Sequence, residues 1–328
     1  MDSFTITVII LALVFDFLNG IHDSSNVVAT MISSRAVSPR AALGMTALAN
    51  FFGPFIFGVA VAKTIGDEIV QSQAINNEVL IAALVGAIVW NLLTWYLGSP
   101  SRSSPALIGG FIGSVAIGAG WDAIKLDGLE KVLIALFASP ILGFFIGYLI
   151  LRVTLLLSWN ATPRVNDLFR RSQILTALAL ALSHGTNDAQ KTMGLITLAL
   201  VTGGYLATFA VPTWVILLCA LMIGLGTALG GWSLIRTLGG KFYKIRPIDG
   251  FAAQLASASV ILSASLLGGP VSTTQVVSSA IMGVGSAERA NKVRWGVAQE
   301  IATAWLLTIP ATALVAAGIY WIIVRFIP

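Results

Sequence analysis

Two short polar motifs contain the residues whose types are best suited to ion chemistry. The first, GIHDSSNVVAT, covers residues 20–30, and the second, SHGTNDAQKTMG, covers residues 183–194. Asp188 lies 165 positions after Asp23. The same shift places three further polar residues on polar residues: His22 on Asn187, Ser25 on Gln190 and Asn26 on Lys191. Carboxylates and side-chain amides supply the oxygen ligands that a hard cation takes. We therefore predict a buried cation site built from both copies.

Two further segments place hydroxyl groups beside a proline. With a shift of 170 positions, PSRSSPALIGG aligns with PVSTTQVVSSA. Each segment would begin a short helix, where backbone N–H groups and hydroxyls can together hold an oxyanion. Anion donors next to cation ligands indicate cotransport, because a multiply charged anion crosses hydrocarbon only when cations neutralise it. The hydroxyls are those of Ser103, Ser104, Thr273 and Thr274.

The elements that must position these motifs are membrane helices. Of the 328 residues, 57% are hydrophobic and only 10% are charged, and the mean hydropathy is +0.90. Those values indicate a multi-pass protein of the cell membrane, and apolar runs of about 20 residues recur along the chain. The basic pI of 9.6 indicates basic cytoplasmic loops, so no nucleic acid partner is expected. The single cysteine excludes an internal disulfide.

The predicted spans occur in the same order in two halves of the chain. In each half the polar motif lies in a stretch expected to be a broken helix, at 3–37 and 174–201. In each half two further segments form a hairpin around a polar, proline-bearing break, at 78–119 and 251–285. Irregular backbone is tolerated at membrane depth only where protein or water satisfies it. The remaining spans are predicted at 41–62, 131–151, 213–235 and 294–325.

Charge assigns the orientation of these spans. With the N-terminus outside and both hairpins re-entrant, 13 of the 19 basic residues fall in cytoplasmic loops, whereas seven acidic residues fall outside. The hairpins then enter from opposite sides and meet near the midplane. We predict an all-α membrane protein of two inverted repeats, residues 1–151 and 172–328, joined by a cytoplasmic linker at 152–171.

The motifs also carry a family resemblance over nearly the whole chain. GIHDSSNVVAT, PSRSSPALIGG, LSHGTNDAQKTMG and GGPVSTTQVVSSAIMG resemble the duplicated signatures of the inorganic phosphate transporter (PiT) family. That family includes sodium- and proton-coupled phosphate permeases and some sulfate permeases. The resemblance implies a secondary transporter that carries inorganic phosphate by alternating access, with membrane lipid around it, and leaves homo-oligomer formation open. It implies no enzyme activity and no cofactor other than a coupling ion.

The resemblance also implies roles for individual residues. Substrate contacts are expected from Asn26 and Gln190 as well as from the four hydroxyls. Arg102 departs from the family, in which this position is more often serine. Its charge is predicted to attract the substrate anion, and pairing with an aspartate is the alternative. The family's hairpin tips tend to end in histidine, whereas this chain has Pro105 and Gln275 there. The loss of two candidate proton carriers favours sodium as the coupling ion. The expected cation ligands are Asp23, Asn26, Asn187 and Asp188.

Several alternatives remain at this point. A proton-coupled phosphate or sulfate permease uses the same residues. A channel built from two half-helices would be expected to repeat Asn-Pro-Ala at its tips, and an intramembrane aspartyl protease would be expected to show a GxGD context. Neither pattern is present, so both are disfavoured. The roles of Lys191, Asp16 and Glu300 are open. Replacing either Asp23 or Asp188 by asparagine is expected to abolish sodium-stimulated uptake while the protein stays folded.

Overall fold

The computed structural model describes residues 1–34, 36–71, 75–96, 103–241, 246–289, 291, 293 and 295–326, and this part of the chain is helical throughout, with short connections. A π-helical turn, Thr64–Glu68, continues the short helix Ala60–Lys63. The helices are α1 Ser3–Ser33, α2 Pro39–Phe57, α3 Ala60–Lys63, α4 Asn77–Tyr96, α5 Ser103–Gly118, α6 Leu126–Leu157, α7 Val165–Thr202, α8 Thr213–Lys241, α9 Pro247–Leu266, α10 Thr273–Glu288 and α11 Trp295–Phe326.

Six of these described helices are long and apolar enough to cross a membrane. The bent pair Pro39–Phe57 and Ala60–Glu68, counted as one span, raises the number to seven. The prediction of an all-α, multi-pass membrane protein is thereby confirmed. The longest helix, α7, is too polar to belong to this set, yet every residue from Ser183 to Leu200 is buried. A polar helix is stable at membrane depth when protein surrounds it, so α7 forms the centre of the bundle.

Helix packing is reciprocal between the two halves. Helix α1 packs against α8, and its counterpart α7 packs against α2. Likewise α5 packs against α11 and α10 against α6, while α4/α5 and α9/α10 form the two hairpins. This exchange is what a two-fold duplication predicts. The opposite membrane orientation of the halves and the re-entry of the hairpins stay predictions, as do the domain boundaries.

The predicted helix breaks at the two polar motifs are wrong. Helices α1 and α7 continue through them as single helices of 31 and 38 residues. The motif glycines serve packing instead. A Cβ at Gly20 would lie 2.6 Å from the carbonyl oxygen of Ile223, and one at Gly185 would lie 2.3 Å from that of Asn50. The glycines let α8 and α2 approach the site helices closely, and the helical backbone need not unwind.

A break occurs instead within the stretch 41–62, which the sequence predicts as one span. Gly58 has φ +80°, in the left-handed region that favours glycine. The axis turns by 73° between α2 and the segment Ala60–Glu68. The side-chain oxygen of Gln190 accepts hydrogen bonds from the N–H groups of Val61 at 2.8 Å and Ala62 at 3.4 Å. Gln190 therefore caps the start of α3, as helix N-termini require.

The predicted orientation can be tested by cysteine labelling, because the native Cys219 is buried and gives little background. Asp122 and Asn160 are both exposed, before and after α6. We expect Asp122→Cys to react with a membrane-impermeant maleimide from outside the cell, and Asn160→Cys to react only after the membrane is opened. Labelling of Asp122→Cys solely from the cytoplasmic side would refute the orientation.

Candidate functional site

Asp23, His184 and Asp188 form a compact buried group between α1 and α7. His184 Nε2 lies 3.1 Å from Asp188 Oδ2 and 3.9 Å from Asp23 Oδ2. One ligand atom from each residue lies within 4.8 Å of the others. His184 and Asp188 are four positions apart, so they share one face of α7. The structure thus brings together both predicted carboxylates, and it adds a histidine between them.

A chain of hydrogen bonds assigns the proton on His184. Thr227 Oγ1 donates to the carbonyl oxygen of Ile223 and accepts from Asn50 Nδ2 at 2.8 Å. The other end of that amide, Oδ1, therefore faces His184 Nδ1 at 3.2 Å. An amide oxygen can only accept, so Nδ1 carries a proton.

The Nε2 atom of His184 consequently faces two carboxylates. It lies close to both but has no partner with hydrogen-bond geometry in the described structure. If the ring is neutral, the partial negative charge of Nε2 lies close to negative carboxylate oxygens, which is unfavourable. A proton or a small cation among these three side chains removes the repulsion. The arrangement can therefore bind a monovalent cation.

Lys191 is buried beside this group and forms an ion pair with Asp188. Its Nζ also donates to Ser104 Oγ at 2.6 Å and to the carbonyl oxygen of Val271 at 2.6 Å. These contacts join α7 to the start of α5 and to the segment before α10. Lys191 pairs with an aspartate, a role that sequence reasoning left open.

The four predicted hydroxyls lie in the first turns of the hairpin helices α5 and α10, and all are buried. Ser103 donates to Asn19 Oδ1 at 2.5 Å. Thr273 donates to Asp188 Oδ2 at 3.0 Å, and Thr274 donates to Asp23 Oδ1 at 2.6 Å. Together with the contact of Ser104 to Lys191, both hairpin tips meet the polar motifs of α1 and α7 in one place.

Other predicted site residues lie elsewhere. Asn187 donates to Ser265 Oγ at 2.8 Å and accepts from the N–H of Val271 at 3.2 Å, so it holds the loop between α9 and α10. Gln190 caps α3, as described above. The side chain of Asn26 and the whole of Arg102 lie outside the described residues, so their roles stay predictions.

The two acids with open roles differ in what can be described. Asp16 is completely buried in α1. Neither of its carboxylate oxygens has a hydrogen-bond partner within the described part of the chain, and Thr192 and Lys191 of α7 are among its neighbours. The side chain of Glu300 lies outside the described residues.

Asn19 and Asn50 are site residues that sequence reasoning missed. The shift of 165 positions places Asn19 on His184. Asn19 accepts a hydrogen bond from Ser103 at the start of α5, whereas His184 belongs to the central group. That alignment could have found Asn19. Asn50 lies in α2, outside every motif, and it reaches His184 only because α2 packs against α7.

The chain is similar to known proteins over nearly its whole length. A family model described as "Phosphate transporter family" matches residues 19–162 and 157–316. The chain is 44% identical over 323 residues to "Probable low-affinity inorganic phosphate transporter" of Bacillus subtilis (strain 168), and the alignment covers 97% of each chain. A protein of the same name from Rhizobium meliloti (strain 1021) is 44% identical over 315 residues, covering 95% of this chain and 94% of that one.

A solved structure described as "The sodium-dependent phosphate transporter" matches with a TM-score of 0.89 at 24% identity. The match covers 99% of this chain and 100% of that chain. At that identity the likeness shows a shared fold.

Proposed function

Because the chain belongs to the phosphate transporter family, we propose that it carries inorganic phosphate across the cell membrane by alternating access, driven by sodium that moves with it. Its relatives are named as transporters, and the chain is a multi-pass membrane transporter rather than an enzyme.

The observation that carries the proposal is the group of Asp23, His184 and Asp188. Asp188 is balanced by Lys191. Asp23 has no lysine at the corresponding position, where the chain has Asn26. Two carboxylates beside one imidazole are costly at membrane depth unless positive charge accompanies them. A sodium ion beside Asp23 supplies positive charge and finds hydroxyl and carboxylate oxygens around it.

The anion half of the proposal rests on the hydroxyls at the starts of α5 and α10. Helix N-termini favour negative charge, and two of them converge on the central group. In this structure the four hydroxyls contact protein atoms, so phosphate must take the place of some of these contacts. Phosphate near neutral pH keeps a proton that it can donate to a carboxylate, whereas sulfate has none. Asp23 and Asp188 therefore favour phosphate over sulfate.

Alternating access is supported by the composition of the site. Its side chains come from α1, α7 and both hairpins, which belong to reciprocally packed halves. Rocking one half against the other would open the site to one side while the same residues stay around the substrate.

One observation favours proton coupling as a second candidate. His184 lies between the two carboxylates, and a single proton shared among the three groups would relieve the same repulsion that a sodium ion relieves. The two candidates differ in the ion and share the residues.

Uptake of radiolabelled phosphate into proteoliposomes, driven separately by a sodium gradient and by a pH gradient, tests the proposal. We expect the sodium gradient to drive accumulation and sulfate to compete weakly. Accumulation that follows the pH gradient and ignores sodium would replace sodium by the proton. A protein that accumulates no phosphate under either gradient would overturn the substrate assignment.

A further inference from the structure

Lys191 is among the largest side chains that are fully buried in the described structure, with 2% of its surface exposed. An ionisable side chain at membrane depth is costly and is rare outside functional positions. The ion pair with Asp188 explains how the charge is tolerated. It does not explain why a lysine is present, because two neutral residues would avoid the cost altogether.

The partners of Lys191 Nζ match the ligands of a bound cation. The ammonium group has three N–H donors, and each meets one oxygen: a carboxylate oxygen of Asp188, the hydroxyl of Ser104 and the carbonyl of Val271. Carboxylate, hydroxyl and carbonyl oxygens are also the set that a hard metal cation takes. The nitrogen of Lys191 thus occupies a place built for a positive ion.

The duplication shows where the two halves differ. Lys191 lies 165 positions after Asn26, as Asp188 lies 165 positions after Asp23. The two copies of the motif therefore offer the same carboxylate, but only the second has an ammonium group three positions later.

We propose that Lys191 is a built-in cation that permanently fills the second of two duplicated cation positions, so that each phosphate crosses with one cation fewer. The inference rests on the proposed function, since it concerns the number of ions that accompany phosphate. It does not depend on whether the mobile ion is sodium or a proton.

The geometry gives this arrangement a consequence for transport. The three oxygens around Nζ come from α7, from α5 of the first hairpin and from the segment before α10 of the second. A mobile ion must leave when the site opens to the cytoplasm, whereas a tethered ammonium stays with Asp188. No ion is then exchanged at Asp188, and less of the ion gradient is used per phosphate.

The variant Lys191→Asn tests the inference because it gives the second copy the residue of the first. The measurement is the charge moved per phosphate in proteoliposomes, obtained from the membrane potential at which net phosphate flux reverses. We expect the variant to move one more positive charge per phosphate than the unmutated protein. A matched control is Thr197→Val, also buried in α7, whose hydroxyl has no hydrogen-bond partner among the described residues. It should leave the ratio unchanged.

Thermal unfolding of the purified variant provides a second measurement. The unfolding temperature of Lys191→Asn should depend more steeply than that of the unmutated protein on sodium against choline, or on acid against alkaline pH. A saturating cation should raise it by about 5 °C or more.

Three results would overturn the inference. The first is an unchanged charge ratio. The second is a folded variant that moves no phosphate with any cation, because Lys191 would then contact the substrate. The third is a variant whose stability no cation restores. If the unmutated protein moves no phosphate, the proposed function has failed instead.

Discussion

Asp23→Asn is expected to reduce sodium-stimulated phosphate uptake by roughly 100-fold or more while the protein stays folded. The amide keeps the shape of the side chain, and its oxygen can still accept the hydrogen bond from Thr274 Oγ1. The negative charge that attracts the coupling cation is lost. Losing one charged partner of a buried pair costs about 3 to 5 kcal/mol, which corresponds to that loss of affinity.

The measurement is initial phosphate uptake in proteoliposomes over a range of sodium concentrations, with protein amount and unfolding temperature determined in parallel. Asp127→Asn is the matched control, because it makes the same chemical change at an exposed position in the first turn of α6. We expect it to leave uptake close to normal. Sodium dependence that survives in Asp23→Asn would exclude Asp23 as the ligand of the coupling ion.

Asp188→Asn is expected to destabilise the protein by about 3 to 5 kcal/mol, because it leaves the ammonium group of Lys191 buried without its counter-charge. Its expected behaviour therefore differs from that of Asp23→Asn, although the motifs predict equal effects. The difference arises because Asp188 forms an ion pair with Lys191. In the first motif the position equivalent to Lys191 is Asn26, which carries no charge. The measurement is the unfolding temperature and the yield of folded protein in detergent.

A double variant separates the loss of charge balance from other damage. Adding Lys191→Asn to Asp188→Asn removes both charges and should recover most of the lost stability, since no uncompensated charge remains. Transport should stay impaired, because Thr273 loses its charged acceptor. If Asp188→Asn alone is as stable as the unmutated protein, the ion pair does not contribute as the geometry implies.

The helix interruptions show the limit of prediction from local sequence. Glycine and polar residues at 20–30 and 183–194 predict breaks, because glycine lowers helix propensity and polar groups are unfavourable in lipid. Both costs vanish inside the bundle, where the polar groups find partners and the glycines give room to α8 and α2. The break at Gly58 lies in a stretch, 41–62, that has no charged residue and only two polar ones, Thr46 and Asn50. It depends on Gln190, which is 129 and 128 positions from the amides that it caps.

The sequence by itself determined the class of the protein, the pairing of Asp23 with Asp188, and the pairing of the hairpin hydroxyls. These follow from residue type, which sets the cost of transfer into lipid, and from alignment of the chain with itself. Only the tertiary structure decided that Thr274 of the second half meets Asp23 of the first, 251 positions away, and that Lys191 reaches Ser104 across 87 positions. Such contacts depend on how whole helices pack, and packing is set by many side chains together rather than by any one motif.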